Sequence, residues 1–234
     1  MSLHTDIAQR LTDVRQRLAG AAVRAGRQPG DIRLVAVSKT FTLEHIRAAA
    51  AAGQEDFGEN RVQEALQKMD RSADLRIRWH LIGTLQSNKA RKAAPRFSAI
   101  HSVDSLRLLQ AIDQAAADAG TTPEILVQVD LAGEATKHGA PPEEAAEIVR
   151  AGLRCRNARL AGLMTIPPYF DNPEDARPYF VMLRELRVTL LNEGLRPESL
   201  RELSMGMSHD FEIAVQEGAT MVRLGTAIFG ARHV

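Results

Sequence analysis

Leu34-Val35-Ala36-Val37-Ser38-Lys39 is an apolar run that ends in an amine. A charge-free run of this kind reads as a strand buried on both faces, the condition of a parallel sheet. A lysine at its C-terminal end points into the mouth of the sheet or barrel, where α/β folds keep their chemistry. Held there, it can lose its proton and attack an aldehyde to form a Schiff base. Taken alone, Lys39 also reads as the first solvated residue after a strand. The rest of the chain decides between the two.

Outward from this strand (residues 32–38) the pattern alternates. Helix is expected over 43–52, 61–69, 87–94, 106–119, 142–151, 173–192 and 211–216. Strand is expected over 54–57, 77–82, 97–102, 124–129, 159–166, 200–205 and 221–224. A helix precedes them all. Leu3, Ile7, Leu11, Val14 and Leu18 form its apolar stripe, Thr5 or Asp6 caps it, and Gly26 to Gly30 stop it. Eight strand–helix units imply a (β/α)8 TIM barrel with an extra N-terminal helix, one domain over 1–234. An open doubly wound sheet is the alternative, but the G-x-G-x-x-G dinucleotide fingerprint is absent.

Composition narrows the function. The 234 residues carry 30 basic and 29 acidic side chains, and 44% are hydrophobic. A net charge of +1 gives no reason to expect nucleic acid or a membrane surface as partner. The single Cys155 excludes an internal disulfide; Arg154 and Arg156 beside it could lower its pKa, but a helix-end thiol is the plainer reading. The seven histidines lack metal-ligand spacing. The N-terminus has no signal-peptide pattern and no apolar stretch spans a bilayer, so a cytoplasmic protein is expected.

Polar clusters fall where strands end. Lys39 follows the first strand and Asn60 the second, and His80 lies in the third. Met164-Thr165-Ile166-Pro167 ends the sixth, Ser204-Met205-Gly206-Met207-Ser208 the seventh, and Arg223-Leu224-Gly225-Thr226 the eighth. The last two look like a phosphate cradle, because backbone N–H groups at such turns bind phosphate where barrels commonly hold it. Each cluster alone also reads as turn glycines and caps. Arg223, between apolar neighbours, needs a carboxylate or a ligand heteroatom as partner. His80 and Met164 alone also read as core residues. An amine, a phosphate cradle and an inward arginine together suggest pyridoxal 5′-phosphate.

The chain resembles the pyridoxal-phosphate homeostasis proteins, the proline synthetase co-transcribed or YggS-like family, whose barrel is that of the alanine racemase N-terminal domain (fold type III). The resemblance rests on Val35-Ala36-Val37-Ser38-Lys39, Phe57-Gly58-Glu59-Asn60-Arg61-Val62-Gln63-Glu64 and Trp79-His80-Leu81-Ile82-Gly83-Thr84-Leu85-Gln86-Ser87-Asn88-Lys89. It continues through His101-Ser102-Val103-Asp104, Gly162-Leu163-Met164, Leu203-Ser204-Met205-Gly206-Met207-Ser208 and 220–230. It implies a cofactor bound as a Schiff base to Lys39. Ser208, Gly225 and Thr226 would hold the phosphate and Arg223 would face the pyridine nitrogen. Asn60, His80 and Met164 would line the pocket, and Lys137 would take part in cofactor transfer. Thr84 replaces the family's usual proline. His209 replaces its usual aspartate, placing a titratable group beside the phosphate.

An arginine at the pyridine nitrogen weakens the ring as an electron sink. Racemases of this barrel type add a tyrosine base from a second domain and partner subunit. Here only Tyr169 and Tyr179 occur and the chain stops after the last barrel unit. The expectation is therefore a monomeric carrier that stores pyridoxal phosphate and delivers it to apo-enzymes. The alternatives are a weak racemase or lyase, with His80, His209 or Lys137 as base, and a cofactor-free barrel enzyme acting on a phosphorylated substrate.

Overall fold

Eight parallel strands pair in sequence order and close on themselves in the computed structural model, which describes residues 2–133 and 138–231. They are β1 (Arg33–Val37), β2 (Asp56–Glu59), β3 (Arg78–Leu81), β4 (Ala99–Val103), β5 (Glu124–Gln128), β6 (Arg159–Met164), β7 (Glu202–Ser204) and β8 (Met221–Leu224). β8 pairs with β1, Leu34 opposite Val222 and Val35 opposite Arg223, which closes the barrel. The helices are α1 (Leu3–Arg24), α2 (Leu43–Ala51), α3 (Val62–Asp70), α4 (Ala90–Ala93), α5 (Leu106–Ala119), α6 (Pro142–Gly152), α7 (Arg177–Asn192), α8 (Phe211–Gln216) and α9 (Thr226–Phe229).

Most expected elements stand within two residues of their expected bounds, and the differences have local causes. α1 begins earlier because the Ser2 hydroxyl accepts the Thr5 N–H, so Ser2 and not Thr5 or Asp6 is the cap. The helix expected over 87–94 is a 3-10 turn, Ser87–Lys89, followed by a single α turn. The first turn of the helix expected from 173 is likewise 3-10, with α7 starting at Arg177.

α1 neither plugs the barrel bottom nor stands apart. It packs against α2, α8 and α9. That is the gap between the helix after β1 and the helix after β7, the place of an eighth barrel helix. Among the described residues only the four-residue α9 follows β8, so α1 completes the ring from the other end of the chain. Its Ile7, Leu11, Val14 and Leu18 are buried there, as the stripe requires.

Inside the barrel alternate strand residues face the axis. Gly58 abuts Val35 and Ile82, and a Cβ there would meet them at 3.1 and 3.2 Å. Leu126, Ala161 and Met164 form a small apolar cluster of their own, with Ile166 against it. Polar side chains share the axis with these apolar ones. At the N-terminal end Arg33 lies 3.9 Å from Glu124 and 3.8 Å from Glu202, while Arg159 and Arg201 also pair with Glu124. Ion pairs, rather than a helix, close this end.

Candidate functional site at the C-terminal mouth

Lys39 is the second residue past β1 and is half-buried. Both neighbours are pinned. The Ser38 N–H donates to the Gly58 carbonyl at 3.0 Å and its hydroxyl to Glu59 Oε1 at 2.6 Å. The Lys68 ammonium, from α3, donates to the Ser38 carbonyl at 2.8 Å and to Glu59 Oε1 and Glu64 Oε1 at 2.7 Å each. On the other side the Thr40 N–H donates to Glu64 Oε1 at 3.0 Å. Thr40 is the one non-glycine residue with positive φ (68°) among the described residues. For a β-branched residue that is a strained conformation, held by its surroundings. Burial raises the Glu59 pKa despite its bonds to Lys68 and Ser38. For Glu64 burial is outweighed by Lys68 and the Thr40 N–H, which hold its pKa below the usual range.

The turn after β7 meets the turn after β8. Gly206 takes φ 92°, and a Cβ there would lie 2.6 Å from that of Ala214. Asp210 Oδ1 accepts the Met207 N–H at 2.6 Å and shapes the turn. Ser208 Oγ accepts two backbone N–H groups, from Gly225 at 3.2 Å and Ala227 at 3.4 Å. Ser208, Gly225 and the first turn of α9, which Thr226 opens, thus form one unit. A Cβ on Gly225 would sit 3.4 Å from the Val37 carbonyl oxygen, which places that unit beside the end of β1 and so beside the Lys39 turn.

Arg223 lies inside the barrel and is 4% exposed. Its Nη1 donates to Ser204 Oγ at 2.7 Å and its Nη2 to the Thr165 carbonyl at 2.9 Å. No carboxylate lies within ion-pair distance of it among the described residues. Burial lowers its pKa to about 10, partly offset by the charge of Asp210, so it remains a cation at neutral pH.

Met164 is fully buried in the apolar inner cluster, opposite Ser204 in the ladder. Asn60, with Thr84, Gln128, Asp130, His138 and Ile166, lines a cleft on the β2–β6 side of the mouth. Asn60 Oδ1 is buried without a hydrogen-bond partner. His80 sits deeper than these residues. It is 1% exposed, with Nε2 2.8 Å from Asp56 Oδ1 and Nδ1 2.9 Å from His101 Nε2. His101 Nδ1 in turn lies 2.8 Å from Ser204 Oγ, across the barrel axis. His80 therefore reaches the mouth only through His101, Ser204 and Arg223.

His209 turns toward the loop after β6. Its Nε2 donates to the Asp171 carbonyl at 3.1 Å, and its ring stacks on exposed Tyr169 at 5.5 Å. Lys137 lies outside the described residues. Asp56, His101, Ser204 and Asp210 had no assigned role from sequence. For Asp56, His101 and Ser204 the available signal was their period, polar side chains at inward positions of strands, whereas Asp210 precedes α8 in the turn after β7.

Three comparisons bear on this arrangement. Residues 11–233 match the family described as alanine racemase, N-terminal domain. A pyridoxal phosphate homeostasis protein of Aquifex aeolicus is 45% identical over 224 residues, 96% of this chain and 97% of that one. The structure of PipY from Synechococcus elongatus, solved with PLP bound, superposes with a TM-score of 0.84 at 39% identity, covering 96% of this chain and all of that one. An alanine racemase from Corynebacterium glutamicum shares the fold at 18% identity and a TM-score of 0.75, with 62% of its length covered. By its barrel, and by close similarity along nearly its whole length, the chain belongs to the pyridoxal phosphate homeostasis protein family.

Proposed function

We propose that this protein binds pyridoxal 5′-phosphate at the C-terminal mouth, attached through Lys39, and keeps it in reserve for apo-enzymes. The observation that carries the reading is the convergence of the Gly225 and Ala227 N–H groups on one oxygen, Ser208 Oγ, beside the Lys39 turn. Two backbone donors aimed at one point are what an anionic oxygen needs. Asn60 Oδ1 adds an unsatisfied buried acceptor to the mouth. Arg223 has five N–H donors, two of them engaged by Ser204 and Thr165. The residues present therefore fit the cofactor. Bound there, pyridoxal phosphate supplies an aldehyde that condenses with a lysine amine.

The chain's own residues favour holding over turnover. Arg223 can only donate, so it leaves a facing ring nitrogen unprotonated. A racemase or lyase reading needs a base at the mouth. His80 is closed off, with both ring nitrogens bonded below the mouth. The His209 Nε2 proton is engaged by Asp171. The pinned turn fixes the backbone on either side of Lys39. The exposed large apolar side chains among the described residues, Val23, Tyr169, Met182 and Val188, are spread over α1, the loop after β6 and α7. That supports a monomer.

Borohydride reduction after incubation with pyridoxal phosphate tests the reading. A visible absorbance that disappears on reduction, with the label mapped to the Lys39 peptide, is expected. A protein that stays colourless and unlabelled, or one labelled equally after Lys39→Ala, rejects it. Transfer to an apo-enzyme, followed by recovery of that enzyme's activity, tests delivery.

A further inference from the structure

The chain of polar contacts below Arg223 has a direction. Asp56 is an anion: burial opposes this, but its bonds to Arg78 and His80 hold its pKa far below the usual range. Arg78 grips it with Nε on Oδ1 at 2.8 Å and Nη2 on Oδ2 at 2.6 Å. A carboxylate can only accept, so the contact with His80 Nε2 places a proton on that nitrogen. In a neutral ring His80 Nδ1 is then an acceptor and must receive a proton from His101 Nε2. His101 Nδ1 is in turn an acceptor for the Ser204 hydroxyl, whose oxygen accepts from Arg223 Nη1. Every donor points the same way, from guanidinium to carboxylate.

We propose that Asp56, His80 and His101 are positioning residues for Arg223: two neutral imidazoles and the Ser204 hydroxyl connect its guanidinium to a carboxylate at the far end of the barrel. The inference rests on the reading that Arg223 faces the cofactor ring. It answers a question posed by the fold, because Arg223 is a buried cation without a direct carboxylate partner among the described residues. A chain of aligned hydrogen bonds in a low-dielectric interior polarises along its length, so the distant anion is felt at the guanidinium. It also fixes the guanidinium plane, since Nη1 and Nη2 have separate acceptors on β7 and just after β6.

The surroundings of His101 disfavour a charge on it. Burial is the largest influence that lowers the His101 pKa, followed by neighbouring His80, Arg223 and Arg33, with Asp56 opposing. A proton on His80 would force the chain to reverse. His101 would then donate from Nδ1 to Ser204, which would face two incoming donors and have to point its own hydroxyl proton elsewhere.

The test begins on the apoprotein. Long-range 1H–15N spectra assign the imidazole protons without any ligand. Both rings are expected to carry their proton on Nε2, and Ser204→Ala is expected to move the His101 Nδ1 resonance alone. Pyridoxal phosphate is then titrated into wild type, Ser204→Ala and Ser204→Thr. The alanine variant is expected to bind about tenfold more weakly and the threonine variant within about twofold of wild type. A wild-type ring protonated on Nδ1, or an alanine variant that binds as tightly as wild type, overturns the inference. If the alanine variant does not fold, His101→Asn takes its place with the same expectation of weaker binding. A wild-type protein that takes up no pyridoxal phosphate overturns the proposed function and the positioning role with it. The spectra then still decide whether the chain is oriented as stated.

Discussion

Removing the Lys68 ammonium should make the stability of this protein strongly pH-dependent. Glu59 has no exposed side-chain surface, and Lys68 is 11% exposed, with 2.7 Å between Nζ and Oε1. Breaking one half of a buried pair leaves a charge that costs about 3–5 kcal/mol, unless the group neutralises. In Lys68→Met the cheaper route is for folded Glu59 to take a proton. Its unfolded pKa is about 4.3, so keeping that proton costs about 1.4 kcal/mol per pH unit above it. The loss is then about 1 kcal/mol at pH 5 and about 3.5 kcal/mol at pH 7. The sign follows from a folded pKa raised above the unfolded one: the protonated form contributes fully below pH ~4.3 and its contribution is lost as pH rises toward the folded value. Wild-type Glu59 already leans this way, since burial raises its pKa. For a chain of this size the midpoint should fall by roughly 2–4 °C at pH 5 and 7–14 °C at pH 7. Thermal unfolding at both values reads this directly. Glu59→Gln on top of Lys68→Met should restore most of the stability at pH 7 and flatten the profile. Equal midpoint losses at pH 5 and pH 7 would refute the argument.

Three further outcomes are expected. Gly206→Ala forces a Cβ to 2.6 Å from that of Ala214 at φ 92°, and should cost about 2–4 kcal/mol by denaturant unfolding. Cys155 should alkylate with iodoacetamide at pH 7.5 far more slowly than a free thiol, followed by mass spectrometry, because burial and Asp113 raise its pKa to about 11 against the opposing Arg154. Arg223→Gln should weaken pyridoxal phosphate binding about 10–100-fold in a spectrophotometric titration, the worth of a hydrogen bond from a charged donor.

The barrel was legible because each unit is punctuated locally. The run from Leu34 to Lys39, the glycine stops and the prolines in helix first turns all act within a few residues, and the structure follows them. What was not legible depends on closure. Sequence did not place α1 against the barrel, because nothing local says that the helix after β8 is one turn long and leaves a gap. The polar chain was hidden for the same reason. His101 and Ser204 are 103 positions apart and meet only across a closed axis. His80 was read from sequence as lining the pocket, and its depth could not be read there. The burial of Cys155 beside Asp113, 42 positions away in sequence, likewise outweighs the adjacent Arg154, one of the two basic neighbours visible along the chain.

The substitution of α1 for an eighth helix also shapes how the chain must be made. Its covering partners α8 and α9 and the strand that closes on β1 are all in the last quarter of the sequence. At about 5–20 residues per second, roughly 10–40 s separate the synthesis of α1 from that of β8. Through that interval α1 has, of α2, α8 and α9, only α2 to cover its stripe of Ile7, Leu11, Val14 and Leu18, and the edge of β1 that meets β8 is unpaired. Exposed apolar surface and unpaired edges of this kind are what chaperones recognise and what aggregation uses. Barrel closure therefore comes last on the ribosome, and until then the Lys39 turn lacks the β8 side of its pocket.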